Sequence, residues 1–355
     1  MASNGVYDKL ADMLVTAPTG SPAMKTPEFI EILRLQYTPE EAQLAVQVGL
    51  SGGKLDEILE KTGIEKGKLK KMLNTMADKG TMWIDPGVED PAYRAAGLVL
   101  MGITETCGWG NVKFPWSVQL NKLWNKFKYT WIKEGLTPMM GPMTPVWPAA
   151  GALPDDALPS ENILEVIKEN DHWSVSPCPC RLWRWLDEPG RHCNHLLETC
   201  IHTGDLSRWT VEHGLARQIT CDEAIEILRK CEEDGLIHTV DPHYAVCNCC
   251  NDCCIAMVGR DIGLTHLMVP TAFVATSNEE TCTACKTCAQ RCPVDAIEVD
   301  EFAVVDRDLC IGCGVCVVGC QTKSMRLERR PEAEQIQAPT PAEVDLDAFP
   351  GMGKH

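Results

Sequence analysis

Apolar residues recur at helical spacing from Thr38 onward, and the pattern breaks at recognisable stop signals. Thr38-Pro39-Glu40-Glu41 joins a capping hydroxyl, a proline suited to a first turn and two acids, which predicts a helix to about residue 48. Further helices are predicted over 54–61 and 65–79, the latter stopped at Gly80, and a short strand over 81–85 ahead of Pro86-Gly87. Upstream, a helical patch over 28–35 sits in an arm broken by Pro18, Gly20, Pro22 and Pro27. Downstream, Leu120, Leu123, Trp124, Phe127 and Trp131 share one face of a helix within 111–133, with Lys122, Lys126, Lys128 and Lys133 among them. A core-facing helix with outward lysines is preferred to a partner-docking or membrane-surface one. Residues 161–170 and 220–234 predict two more helices. Thr220 and Glu223 form a capping box for the second, and Gly235 ends it.

Charge narrows the partners. The chain has 33 basic and 50 acidic residues, a formal net charge of −17, which repels nucleic acid and anionic membranes unless a local patch overrides the field. No apolar run approaches the ~20 residues that span a bilayer, so no transmembrane segment is expected. Three helices followed by a strand and a turn resemble a winged-helix domain over 38–103. That resemblance makes the third helix, with Lys66, Lys68, Lys70 and Lys71, a candidate DNA reader. Against the global charge, a solvated face on a protein-docking module is the preferred reading, and no nucleic acid partner is expected.

Cysteine dominates the chemistry. Nineteen of the 20 cysteines lie from Cys178 to Cys320. No secretory leader is legible at Met1–Leu10, so a reducing, cytoplasmic compartment is expected, where clustered thiols are metal ligands rather than disulfides. Cys107, Cys221 and Cys231 stand apart from the clusters, and the last two read as small core residues.

Cys282-x2-Cys285-x2-Cys288-x3-Cys292-Pro293 is followed by Cys310-x2-Cys313-x2-Cys316-x3-Cys320. This resembles the bacterial two-cluster ferredoxins over residues 277–328. The resemblance implies two [4Fe–4S] clusters in which the fourth cysteine of each run serves the other cluster. One set is then Cys282, Cys285, Cys288 and Cys320, and the other Cys310, Cys313, Cys316 and Cys292. Segments 294–299 and 302–306 form the hairpin between the runs, and Gly312, Gly314 and Gly319 relieve crowding. Gln321-Thr322 departs from the family, which usually has proline after the last cysteine; this alters local polarity without removing a ligand.

A second field holds Cys178, Cys180, Cys193 and Cys200, then Cys247, Cys249, Cys250, Cys253 and Cys254. Thiols this dense imply metal, and the natural reading is one or two more [4Fe–4S] clusters. The first four close one cube on this reading, and the later group holds a fourth cluster or lends a ligand. Adjacent pairs such as Cys249-Cys250 and Cys253-Cys254 cannot easily both address one cube. His192, His195 and His202 are either ligands, cluster-tuning groups or ordinary hydrogen-bonding histidines, with the last preferred. Arg181 either offsets cluster charge or forms a salt bridge. Cys178-Pro179-Cys180-Arg181, the run Gly214-Leu215-Ala216-Arg217-Gln218-Ile219 leading to Glu223-Ala224, and Asn248-Cys249-Cys250 resemble segments of a family of anaerobic, cytosolic ferredoxin-domain proteins. That resemblance implies electron exchange with oxidoreductases.

The expected architecture is α+β: an N-terminal arm (1–37), a helical winged-helix-like domain (38–103), a Trp/Pro-rich connector (104–159), a cysteine-rich iron–sulfur domain (160–276), a small ferredoxin-like domain (277–328) and an exposed tail (329–355). No dinucleotide or Walker motif is present, and no catalytic residue is legible. The function expected is electron transfer to or from a flavin- or metal-containing oxidoreductase in anaerobic metabolism. Two alternatives stand beside it. One is a redox-sensing transcription regulator. The other is an oxidoreductase with an open-coordinate cluster within residues 178–254.

Overall fold

The computed structural model describes residues 4–15, 25–96, 115–130, 144–187, 193–240, 244–254, 257, 268–331 and 335. Helices α1 (Asn4–Val15) and α2 (Pro27–Gln36) bury Leu10, Leu14, Phe29, Ile32 and Leu33, so the arm is part of a core. Helix α3 (Pro39–Val48) starts as the sequence predicts: Thr38 accepts from the Glu41 N–H at 3.2 Å while the Glu41 carboxylate accepts from the Thr38 N–H at 2.7 Å. Strand β1 (Gly53–Lys54), helices α4 (Leu55–Thr62) and α5 (Lys66–Asp78), and strands β2 (Met82–Ile84) and β3 (Ala92–Ala95) follow. The strands form an antiparallel sheet in the order β1-β3-β2.

Helix α6 (Ser117–Thr130) faces the core, as its apolar stripe demands. Phe127 stacks on Phe29 with centroids 5.3 Å apart, Lys122 is exposed, and Lys126 reaches Glu28 at 2.8 Å. Trp131 and Lys133 lie outside the described residues, as do Cys107 and His192.

A seven-stranded sheet organises the middle of the chain. Its strands are β4 (Thr144–Trp147), β5 (Trp173–Pro177), β6 (Glu198–Thr203), β7 (Arg217–Ile219), β8 (Ile237–Thr239), β9 (Ala245–Cys249) and β10 (Met268–Val269), in the order β10-β4-β8-β9-β6-β5-β7. Helices α7 (Ile163–Val166), α8 (Pro179–Asp187), α9 (Gly204–Glu212) and α10 (Cys221–Asp234) complete this layer. The segment expected as a connector therefore supplies both a packed helix and an internal strand. The helix expected over 161–170 is only α7 and a 3-10 turn. At its end the Ile167 carbonyl accepts from the Trp173 indole N–H at 3.0 Å and from the Asn170 side-chain amide at 3.2 Å. At α10, Thr220 caps the Glu223 N–H, but the Glu223 carboxylate turns away to Arg217 at 2.8 Å, so only half the predicted box forms.

The last unit contains β11 (Phe273–Ser277), α12 (Thr287–Arg291), β12 (Ile297–Val299), β13 (Ala303–Val305), α13 (Val315–Val318) and β14 (Met325–Arg329). β11 pairs with β14 from Phe273↔Arg329 to Ser277↔Met325, and β12 with β13 as the predicted hairpin. The sheet thus begins before residue 277 and runs past 328. Arg330, in the segment expected as tail, is buried and donates to the carbonyls of Phe273 (3.0 Å) and Cys310 (2.6 Å).

Two arginines dock this unit onto the sheet layer. Arg291 donates to the carbonyls of Glu232 (2.7 Å), Glu233 (2.9 Å) and Val315 (3.0 Å). Arg329 lies over the Phe273 ring and grips the Glu161 carboxylate through two bonds of 2.7 and 2.8 Å. That grip holds the Glu161 carboxyl below its ordinary value, outweighing partial burial, which acts to raise it. A depressed carboxylate stabilises the fold above its unfolded pKa, and the contribution disappears as pH falls through the folded value. Glu161→Gln should therefore cost about 1 kcal/mol near neutrality. Anaerobic denaturant titrations stepped from pH 7 into the acid range check this: the gap from the wild type should narrow as pH falls.

Candidate metal centres

The two ferredoxin runs repeat one backbone trace. Ala284 and Lys286 in the first run, and Gly312 and Gly314 in the second, all have positive φ, and so do Asp295 and Lys323 after the fourth cysteines. These left-handed residues turn the chain so that successive cysteines face inward. The first three cysteines of one run meet the fourth of the other. One cavity is lined by Cys282, Cys285, Cys288 and Cys320, and a second by Cys310, Cys313, Cys316 and Cys292.

The two cavities differ in polarity. Cys285 is exposed, and its sulfur lies 3.5 Å from the Thr287 hydroxyl; Cys320 has the same relation to Thr322, also at 3.5 Å. The Thr287 hydroxyl and backbone N–H, with a smaller contribution from the Thr283 hydroxyl, hold the Cys285 thiol below its ordinary pKa. At Cys320, burial acts to raise the pKa, but Thr322 and nearby N–H groups outweigh it. The family departure at Gln321-Thr322 thus places a hydroxyl on a sulfur. In the second cavity Val315 replaces Thr287, all four thiols are buried, and burial pushes the Cys313 thiol up to about 12. The Ala296 N–H still donates to the Cys292 sulfur at 3.2 Å. Among the described residues, these four-thiol cavities offer no competing charged side chain except Lys286 at the open one.

The middle thiols sort into two sets that the sequence does not reveal. Cys200, Cys247, Cys249, Cys254, Cys180 and Cys178 follow one another in a connected series, with Cys249 and Cys254 sulfurs 3.3 Å apart. Cys193, Cys250 and Cys253 form a separate triad, their sulfurs all within 4.8 Å of one another. Cys193 therefore leaves the quartet in which the sequence places it. Each adjacent pair is split, Cys249 from Cys250 and Cys253 from Cys254, as strand and turn geometry requires of consecutive side chains.

Arg181 lies between the sets and is fully buried. It donates to the carbonyls of Leu196 (2.7 Å) and Asn248 (2.7 Å) and to the Thr199 hydroxyl (2.8 Å). Burial acts to lower its pKa, but the facing Cys178, Cys250 and Cys249 thiols outweigh this and raise it. Among the described residues no carboxylate pairs with Arg181, so its charge is directed at sulfur. His202 is buried, its Nε2 3.4 Å from the Cys200 sulfur, and burial drops its pKa to about 3, leaving the ring neutral. His195 pairs with Asp234 at 3.1 Å, an ordinary structural contact. Cys231 is buried core, as expected, whereas Cys221 is only half-buried.

One polar network escapes sequence reading altogether. Glu232 accepts from the Ala150 N–H (2.7 Å) and contacts His238 Nε2 (3.2 Å), and His238 Nδ1 lies 2.7 Å from Asn248 Oδ1. Asn248 in turn donates to the Thr199 carbonyl at 2.7 Å. The network supports the strand that carries Cys247 and Cys249, and only the buried placement of a glutamate and a histidine signals it.

Residues 275–298 and 303–325 match the family model of the 4Fe-4S binding domain. The chain is 45% identical over 47 residues to one component of the ion-translocating oxidoreductase complex of Methanosarcina acetivorans, covering 13% of this chain and 18% of that protein. It is 36% identical over 58 residues to Ferredoxin-1 of Caulobacter vibrioides, covering 16% of this chain and 51% of that protein. The chain therefore spans about half or less of the length of these curated relatives. No solved structure matches it. Among the described residues, no helix is long and apolar enough to cross a membrane. The region spanning 275–325 is a ferredoxin-type 4Fe–4S domain.

Proposed function

We propose that this chain is a cytoplasmic iron–sulfur electron-transfer protein, acting alone or as part of a complex. It passes single electrons to or from a flavin- or metal-containing partner oxidoreductase in anaerobic metabolism. The observation that carries this reading is the pair of interleaved four-cysteine cavities within the 4Fe–4S domain. Cys282, Cys285, Cys288 and Cys320 hold one [4Fe–4S] cluster, and Cys310, Cys313, Cys316 and Cys292 the other. The ligands of a third come from Cys178, Cys180, Cys200, Cys247, Cys249 and Cys254, with no more than one of Cys249 and Cys254 among them, since their sulfurs stand only 3.3 Å apart. Bound clusters contribute reversible one-electron chemistry. The chain's own residues set where it occurs: Thr287 and Thr322 polarise the open cavity, while Val315 keeps the other apolar. Exposed Cys285 marks the face a partner approaches. The relative named as part of an oxidoreductase complex, and the one named a ferredoxin, support the same class.

The test is iron and acid-labile sulfide on anaerobically purified chain, with electron paramagnetic resonance after reduction. About twelve iron per chain are expected, roughly four per cluster, with signals from reduced clusters. Cys313→Ser should remove about four iron. Less than about one iron per chain, with no reducible signal after reconstitution with iron and sulfide, would refute the proposal.

A DNA-reading regulator is the competing function. It is supported by the order of elements from α3 to β3 and by the exposed Lys66, Lys68, Lys70 and Lys71 on α5. The net charge of −17 opposes it. Duplex binding that weakens with salt and changes with cluster oxidation would favour this reading over electron transfer.

A further inference from the structure

We propose that Cys193, Cys250 and Cys253 bind a single thiophilic divalent ion of the zinc class, distinct from the iron–sulfur centres. The argument is one of size. Thiolates on one tetrahedral ion, with metal–sulfur bonds of about 2.3 Å, stand about 3.8 Å apart. Thiolates on the corners of an iron–sulfur cube stand roughly 6 Å apart, because the cube's own atoms lie between them. The three sulfurs here are all within 4.8 Å of one another. Among the described residues no other group of three ligand atoms closes so tightly, and the ferredoxin quartets do not. The triad is drawn to the size of an ion.

Sequence and charge agree with that size. Cys250-x2-Cys253 is a short chelating hook, and Cys193 reaches it from the segment ahead of β6, so the ion would clamp two distant stretches of chain. Cys250 and Cys253 are buried and Cys193 half-buried, which shields the site from solvent. Three thiolates around a divalent ion leave one negative charge. The buried Arg181 guanidinium faces Cys250 and supplies its counter-charge. The fourth position takes an oxygen donor. Asp252 lies beside it, its Oδ2 3.6 Å from the Cys253 sulfur, and Arg184, 4.0 Å from its Oδ1, offsets the negative charge this carboxylate adds. Sulfur and oxygen ligands of one tetrahedral zinc are about 3.5 Å apart.

The test needs no variant at first. Elemental analysis of anaerobically purified full-length chain should find about one zinc per chain beside the iron, and its X-ray absorption edge should show about three sulfurs near 2.3 Å. Cobalt(II) loaded in its place should give the visible bands of tetrahedral thiolate coordination. Cys250→Ser and Cys253→Ser should each lose the zinc while the iron count holds. Absence of zinc overturns the proposal, as does zinc that survives both substitutions. Loss of about four iron in either variant also overturns it, since that would put a cube at the triad. Because zinc and iron are read separately, failure here is distinguishable from failure of the electron-transfer reading.

Discussion

Gly312→Ala is expected to be among the most damaging single-methyl additions to this chain. Gly312 has a φ of +70°, where a Cβ is strained by about 1 kcal/mol or more. Here the strain is the smaller part. A Cβ at this position would overlap the Thr271 hydroxyl and the backbone carbonyl of Phe273. Neither can yield cheaply. Thr271 donates to the Gly312 carbonyl at 3.0 Å, and Phe273 begins the strand that pairs with β14. The cost should exceed about 3 kcal/mol, in the far tail of single substitutions. The displaced loop carries Cys310 and Cys313, so the cluster assigned to that cavity should be lost with it, about four iron per chain. Gly63→Ala is the control. Its φ is +65°, with nothing within 4 Å of the added Cβ. It should cost only about 1 kcal/mol and no iron. Equal effects at the two sites would show that backbone strain, not close approach, dominates.

The same comparison explains why the two runs differ in sequence while sharing a trace. Ala284 and Lys286 tolerate positive φ in the first run because that loop faces solvent. Their counterparts are Gly312 and Gly314, which press against Phe273 and Ala152. The run with more glycine is the one packed into the body of the protein.

Local signals are legible where local chemistry decides the outcome. The Thr38–Glu41 box, the stripe of α6 and the hairpin of β12 and β13 follow from spacing alone. So does the separation of adjacent cysteines, because consecutive side chains diverge. The seven-stranded sheet is not legible. It inserts β4, with Pro145, between β10 and β8, although proline usually argues against an internal strand. Pro145 pairs with Val269 of the two-residue β10 on one side and accepts the Val240 N–H through its carbonyl at 3.1 Å on the other. The partition of the nine middle thiols is likewise hidden. It depends on which strand and turn each cysteine occupies once the sheet has assembled from segments far apart in the chain. Arg181 illustrates the same limit: its position after Cys180 points to a role beside sulfur, but not to burial among three oxygen acceptors.

Arg181→Met should separate the middle centres from the ferredoxin pair. The substitution keeps much of the apolar stem and removes the guanidinium. It strands the carbonyls of Leu196 and Asn248 and the Thr199 hydroxyl in a buried site. Breaking a buried charged network costs about 3–5 kcal/mol. It also withdraws the positive charge from the Cys178 and Cys250 thiols, so metal held there loses its counter-charge. The expected result is loss of the metal bound by the middle cysteines, while the roughly eight iron of the ferredoxin domain remain. Arg181→Lys divides the two effects. Its ammonium restores the charge as a compact point, but cannot reproduce a fork spanning Leu196, Thr199 and Asn248. Lysine should therefore recover part of the metal content while leaving most of the stability deficit, measured by anaerobic unfolding. If Met and Lys lose metal equally, geometry rather than charge governs the site; if neither loses any, Arg181 is a packing residue and the thiol sets are neutralised by their metals alone.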